Sequence, residues 1–144
     1  MAHFAEVDYV VYPAGTWYIL RSSLGFTGVA FGESTDLPVP ADYDGDGKTD
    51  LAVFRPSNGT WYLMRSTAGF AGIAFGVGTD LPVPADYDGD GKADVAVFRN
   101  GVWYILRSKD GFTGVAFGVA MINQQLTLLF SKTPPLYPTD YYFN

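Results

Sequence analysis

Short runs of about five to seven mostly apolar residues, set apart by Gly and polar positions, follow one another along most of the chain. TWYLMRS at 60–66 and FAGIAFG at 70–76 show the pattern, and DLAVFR at 50–55 is apolar nearly throughout. A fourth kind of run, DLPVPAD, stands at 36–42 and again at 80–86. Each is rich in β-branched and aromatic residues and is bounded by Gly, Asn, Ser or Asp, which predicts strands joined by turns. No window carries apolar residues at helical spacing for three turns, so the predicted class is all-β. Four runs to a unit predict a four-stranded antiparallel meander. Pro38, Pro40, Pro82 and Pro84 remove ladder donors from the first run. That run is therefore predicted at a sheet edge, such as one lining a channel.

The runs recur. TDLPVPADYDGDGK at 35–48 returns unchanged at 79–92, a period of 44. Three related segments begin at Gly15, Gly59 and Gly101, marked by Trp17, Trp61 and Trp103. The last interval is two residues shorter because RPSNGTW has become RNGVW, which reads as a tightened hairpin turn. DYVVY at 8–12 aligns with DLAVF at 50–54, so the first unit begins at its second strand and AHFAEV stands where an acidic loop would be. Four-stranded units of this length have the form of β-propeller blades. Residues 1–119 are thus expected to form three blades (8–36, 37–80 and 81–119), the first lacking its first strand. Propellers close with roughly four to eight blades, so three make an incomplete ring unless chains associate. Residues 120–144 leave the repeat. LTLLF at 126–130 has the pattern of an extra strand, and SKTPPLYPTDYYFN that of an extended arm.

With 48% hydrophobic residues in 144, the chain has enough apolar surface for an ordered core. Its net charge of −6 is local: eight of the fifteen acidic residues lie in DYDGDGKTD at 42–50 and DYDGDGKAD at 86–94. No basic patch points to nucleic acid. No apolar run approaches the length of a membrane span, and MAHFAEVDYV shows no secretory signal. The absence of cysteine excludes disulfides, thiolate metal sites and Cys nucleophiles.

The acidic loops are the candidate chemistry. Counted from Asp42, carboxylates stand at positions 1, 3, 5 and 9 (Asp42, Asp44, Asp46, Asp50), with Lys48 at position 7 able to offer its backbone carbonyl. The second loop repeats this with Asp86, Asp88, Asp90, Lys92 and Asp94. Hard oxygens on a glycine-rich loop suit Ca²⁺, whereas Zn²⁺ would want His or Cys. Two Ca²⁺ sites are therefore expected; the plain alternative is a solvated acidic turn, since Asp-Gly pairs form turns anyway. An EF-hand does not fit. It needs Glu at position 12 and flanking helices, whereas position 12 is Val53 or Val97 and the flanks read as strands.

DYDGDGKTDLAVF, with strands ending at Phe31-Gly32, Phe75-Gly76 and Phe117-Gly118, resembles the FG-GAP or VCBS-type repeat, the calcium-binding blade of integrin-α-like propellers and many bacterial extracellular proteins. The Gly-Ala-Pro half of that signature is absent. The resemblance covers about residues 8–118. It implies Ca²⁺ between the first and second strands of blades two and three, a binding role, and an extracellular or cell-surface location.

Other residues carry two readings each. Trp17, Trp61 and Trp103 with Tyr18, Tyr62 and Tyr104 are either packing between blades or sugar-stacking platforms. Arg21, Arg65 and Arg107 either hold structure or pair with the acidic loops. Asn58 in NGT is a turn residue or a glycosylation acceptor. No nucleophile and base can be paired, His3 being the sole histidine, so no enzyme is expected. The expected function is a calcium-stabilised binding or adhesion module, lectin-like or directed at a surface partner. The alternative is a self-assembling subunit, with chains pairing through open blade edges into a dimeric ring or a head-to-tail filament.

Overall fold

In the computed structural model, residues 3–4 and 9–118 are described. The elements are β1 (His3–Phe4), β2 (Tyr9–Val11), β3 (Thr16–Arg21), β4 (Gly25–Ala30), β5 (Leu37–Pro38), β6 (Thr49–Arg55), β7 (Thr60–Arg65), β8 (Gly69–Ala74), β9 (Leu81–Pro82), β10 (Val95–Arg99), β11 (Val102–Arg107) and β12 (Gly111–Ala116). No helix occurs among them. The strands form antiparallel meanders: β2-β3-β4, then β5-β6-β7-β8, then β9-β10-β11-β12. The described part of the chain is all-β, built of propeller-type sheets that do not close into a barrel. The predicted extra strand and arm fall outside the described residues.

The proline-rich run has the edge position expected of it. Only Leu37–Pro38 and Leu81–Pro82 count as strand, paired with β6 and β10 respectively. Val39 N–H still reaches Ala52 O at 2.8 Å, and Val83 N–H reaches Ala96 O at 2.8 Å. The shortened third hairpin is a two-residue turn. Arg99 pairs with Val102, and Asn100 and Gly101 take φ of 49° and 84°, the left-handed pair that suits strand twist.

Alternation along the third strand of each unit decides how the sheets stack. Trp61 and Leu63 are buried in one cluster with Phe54, Val95 and Val97, facing the third sheet. Tyr62 and Met64 point the other way, against Trp17, Ile19, Leu51 and Val53 of a second cluster, facing the first sheet. β6 lies between the two, which is why Leu51–Phe54 are buried on both faces and read as a continuous apolar run. Trp17 and Trp61, with Tyr62 and Tyr104, thus pack between sheets, whereas Tyr18 is exposed on the first sheet and Trp103 packs within the third unit. Each indole also donates to a main-chain carbonyl: Trp17 Nε1 to Phe31 O at 2.9 Å, Trp61 to Phe75 O at 2.9 Å, Trp103 to Phe117 O at 2.8 Å. The acceptor is the Phe of each Phe-Gly pair. The following glycine must turn sharply, with φ of 112° at Gly76, where a Cβ would press within 3.1 Å of Asp80 Oδ2.

One element was not foreseen. His3–Phe4, in the segment that replaces an acidic loop, pairs not with the first sheet but with the start of β6 (His3 with Asp50, Phe4 with Thr49). The equivalent contact between the second and third sheets is a hydrogen bond from Ala93 N–H to Asp42 O at 2.7 Å. The chain before each second strand therefore reaches across to the next sheet.

Candidate functional site

The two acidic loops lead into β6 and β10. In the first, one carboxylate oxygen each from Asp42, Asp44 and Asp50 lies within 4.8 Å of the others; in the second, Asp86, Asp88 and Asp90 do so. Asp46 and Asp94 stand beside these groups, and Lys48 and Lys92 are exposed, each giving its backbone N–H to the position-5 carboxylate (Lys48 to Asp46 Oδ1 and Lys92 to Asp90 Oδ1, both 2.9 Å).

Position 1 folds the loop around itself. Asp42 accepts from Gly45 N–H at 2.7 Å, Asp46 N–H at 3.2 Å and Gly47 N–H at 2.8 Å, and Asp86 does the same with Gly89, Asp90 and Gly91. Such side-chain to backbone bonds make Asp-Gly runs fold into turns.

Position 9 is an anchor. Asp50 and Asp94 are fully buried. Asp50 Oδ2 accepts from Tyr43 N–H at 2.8 Å and Oδ1 from Ser66 N–H at 2.9 Å; Asp94 accepts from Tyr87 and Ser108 N–H, both at 2.7 Å. One carboxylate thus ties the loop to the turn between the third and fourth strands. Burial pushes the Asp50 carboxyl up, the Ser66 and Tyr43 amides oppose this, and the nearby Asp44 charge adds to the rise.

Position 3 is lopsided. Asp44 Oδ2 accepts from Thr67 N–H at 2.8 Å, Thr67 Oγ1–H at 2.8 Å and Ala68 N–H at 3.2 Å. Asp44 Oδ1 is buried and has no hydrogen-bond partner. The second loop repeats this: Asp88 Oδ2 accepts from Lys109 N–H at 3.0 Å and Asp110 N–H at 3.1 Å, and Asp88 Oδ1 is buried without a partner. Burial alone would raise Asp44, but the Thr67 and Ala68 donors outweigh it and hold the carboxyl well below the usual range. At position 5, Asp46 accepts from Ser66 Oγ–H and Asp90 from Ser108 Oγ–H. The Ser108 bond, with the Lys92 amide, lowers the Asp90 carboxyl.

A buried anionic oxygen left without a donor is unfavourable. It occurs twice, at one position of a repeated loop, which makes these residues ones that could hold a cation. The surrounding donors are all oxygen, which suits a hard divalent ion.

Sequence reasoning missed the opposite wall of this site. Ser66, Thr67, Ala68 and their counterparts at 108–110 come from the turn after the Trp-Tyr strand. The recurring Arg-Ser was visible, but Ser22 repeats it in the unit without an acidic loop, so the motif alone did not signal a site. Arg65 and Arg107 brace this turn: Arg65 donates to Gly69 O at 3.0 Å and Ala68 O at 3.2 Å, and Arg107 to Gly111 O at 2.9 Å and Asp110 O at 3.1 Å. Arg21 instead donates to Thr27 Oγ1 at 2.7 Å. Asn58 lies in the β6–β7 turn, its Nδ2 donating to the Tyr62 hydroxyl at 3.0 Å.

A second carboxylate pair was also missed. Asp36 and Asp80, buried in the linkers between sheets, are gripped at two points by Arg55 (2.9 and 3.0 Å) and Arg99 (2.6 and 2.7 Å) at the opposite ends of β6 and β10 from the acidic loops. The same guanidinium groups lie over the Tyr62 and Tyr104 rings, 4.4 and 4.7 Å from the centroids.

Residues 42–97 match the family model described as an FG-GAP-like repeat. No curated protein and no solved structure gives a significant match to the chain. FG-GAP repeats are typically non-catalytic binding or adhesion modules and are usually extracellular. Among the described residues, no helix is long and apolar enough to cross a membrane. The matched span takes in both acidic loops and the strands between them, so this part of the chain is similar to an FG-GAP-like repeat.

Proposed function

We propose that each acidic loop binds one Ca²⁺ and that the chain is a calcium-stabilised, non-catalytic adhesion module recognising glycans or a surface partner. The observation that carries this is the buried, unpartnered oxygen at Asp44 and again at Asp88. Asp42, Asp44, Asp46 and Asp50 with the Lys48 carbonyl would hold one ion, and Asp86, Asp88, Asp90 and Asp94 with the Lys92 carbonyl the other. The ion would supply positive charge that offsets repulsion among four carboxylates and fixes the loop against the Ser66–Ala68 turn. A non-catalytic role agrees with the commitment of these carboxylates to backbone amides, which leaves no free acid–base pair in the loops.

Asp44→Asn tests the ion directly, because it keeps the size of the side chain and removes a charge. Calorimetric titration with CaCl₂ should count two ions on the parent chain and one on Asp44→Asn or Asp88→Asn. Two ions retained in either variant would remove position 3 from the ligand set. A glycan array probed in Ca²⁺ and again in EDTA tests the recognition role, with calcium-dependent retention on defined glycans expected.

Self-assembly is favoured by one face. Tyr62 and Met64 pack on the preceding sheet, as do Tyr104 and Leu106. Their counterparts on the first sheet, Tyr18 and Leu20, are 38% and 47% exposed. A second copy stacking on this face would make a ring or filament. Light scattering should then give a multiple of the chain mass that Leu20→Asp reduces to one; a monomeric parent chain rules this out.

A further inference from the structure

We propose that the two acidic loops fill as a positively coupled pair, through the peptide that joins Lys92 to Ala93. This rests on the calcium reading and concerns how its two sites communicate.

The loops touch. Ala93 N–H donates to Asp42 O at 2.7 Å, so the last turn of the second loop is bonded to the first residue of the first. Beside this bond the Lys92 stem lies over Gly45: a Cβ there would meet Lys92 Cγ at 3.0 Å, with Lys92 Cε and Gly91 O both at 3.6 Å. The N–H that makes the bond belongs to the same planar peptide as the Lys92 carbonyl, the backbone donor of the second site. In a trans peptide these two groups point in opposite directions. With its N–H held by the first loop, that carbonyl is aimed away from it. Asp42, which accepts the bond, carries the position-1 carboxylate of the first site.

One rigid plane thus has an edge in each site. An ion on the Lys92 carbonyl fixes the plane and polarises the amide, making Ala93 N–H a stronger donor to Asp42. That restrains the Asp42 backbone and prepays part of the ordering of the first loop. Filling the first loop fixes Asp42 O and orders the second in return, by the same factor. The opposing effect is electrostatic: the first ion weakens the field that attracts the second. The glycine and lysine positions of both loops are exposed, so water and salt screen part of that effect, whereas loop ordering is not screened.

The test uses the whole chain and CaCl₂. In Asp44→Asn the surviving second site should bind about fivefold or more weakly than in the parent chain, and in Asp88→Asn the surviving first site should weaken by a similar factor. Circular dichroism confirms that each variant is folded. Amide hydrogen exchange gives an independent readout: Ala93 should exchange faster in calcium-saturated Asp44→Asn than in the saturated parent. Ala93→Pro removes the N–H and leaves every carboxylate; if it folds, it should bind two ions with a Hill coefficient reduced to about one. Two ions bound by the parent, with unchanged affinity in both single-site variants, overturns the coupling and leaves the calcium sites standing. No ion bound by the parent overturns both.

Discussion

Removing divalent cation with EDTA should lower the melting temperature by roughly 20 °C relative to millimolar Ca²⁺. A ligand that binds only the folded state at a hundredfold excess over its dissociation constant contributes about 2.7 kcal/mol. Two such sites give about 5 kcal/mol, and a domain near this size moves by about 4 °C per kcal/mol. The direction follows from the loops. Without an ion each gathers four carboxylates, with Asp50 or Asp94 buried and an oxygen of Asp44 or Asp88 lacking a donor. Mg²⁺ at the same concentration should rescue less, since it demands a stricter octahedron. Superimposable melting curves in EDTA and Ca²⁺ would end the metal assignment.

Arg55→Met should destabilise the protein by about 3 kcal/mol in urea unfolding, because it strands Asp36. The Asp36 side chain is fully buried, and both of its oxygens accept from the guanidinium, with Glu33 N–H as a further donor at 2.8 Å. Methionine replaces the stem but offers no donor. Arg55 is itself 18% exposed, which puts the effect at the lower end for a broken buried pair. The double variant Arg55→Met with Asp36→Leu should recover much of the loss, since no buried charge is then left alone. No recovery would mean that the stem and its contact with Tyr62 carry the stability. The matching pair in the next unit sets a pH dependence. Burial raises the Asp80 carboxyl, but Arg99 and the Val77 amide more than offset this and leave it below its ordinary value. A depressed carboxylate contributes stability that is complete above its unfolded pKa, near ~3.9, and is lost as pH falls through the folded value. Acid unfolding in EDTA should therefore begin below about pH 4, and Arg99→Met should move its onset upward.

The strands were legible because their causes are local. The aromatic-rich runs TWYLMRS and FAGIAFG, the turn glycines and the shortened RNGVW hairpin act over a few residues, and all appear where expected. The Asp spacing was equally plain, and the loops do bring their carboxylates together. What those carboxylates face was not legible. Asp44 meets Thr67 and Ala68, and Asp46 meets Ser66, across two strands and a hairpin. Ser22 repeats the Ser in a unit whose sequence carries no acidic loop.

The sequence by itself determined the all-β class, the period, the place of the two acidic loops and that adjacent Trp and Tyr point to opposite faces of a strand. Hydrophobic alternation and backbone sterics act between near neighbours and are written in order along the chain. Only the tertiary structure decided that position 9 is a buried anchor and that Asp36 and Asp80 belong to Arg55 and Arg99, and only the stacking of one sheet on the next that Ala93 bonds to Asp42. Those contacts join residues whose separation in the chain carries no periodic signal. The last exists because Trp61 packs one way and Tyr62 the other, which sets neighbouring sheets at a distance where the loops touch.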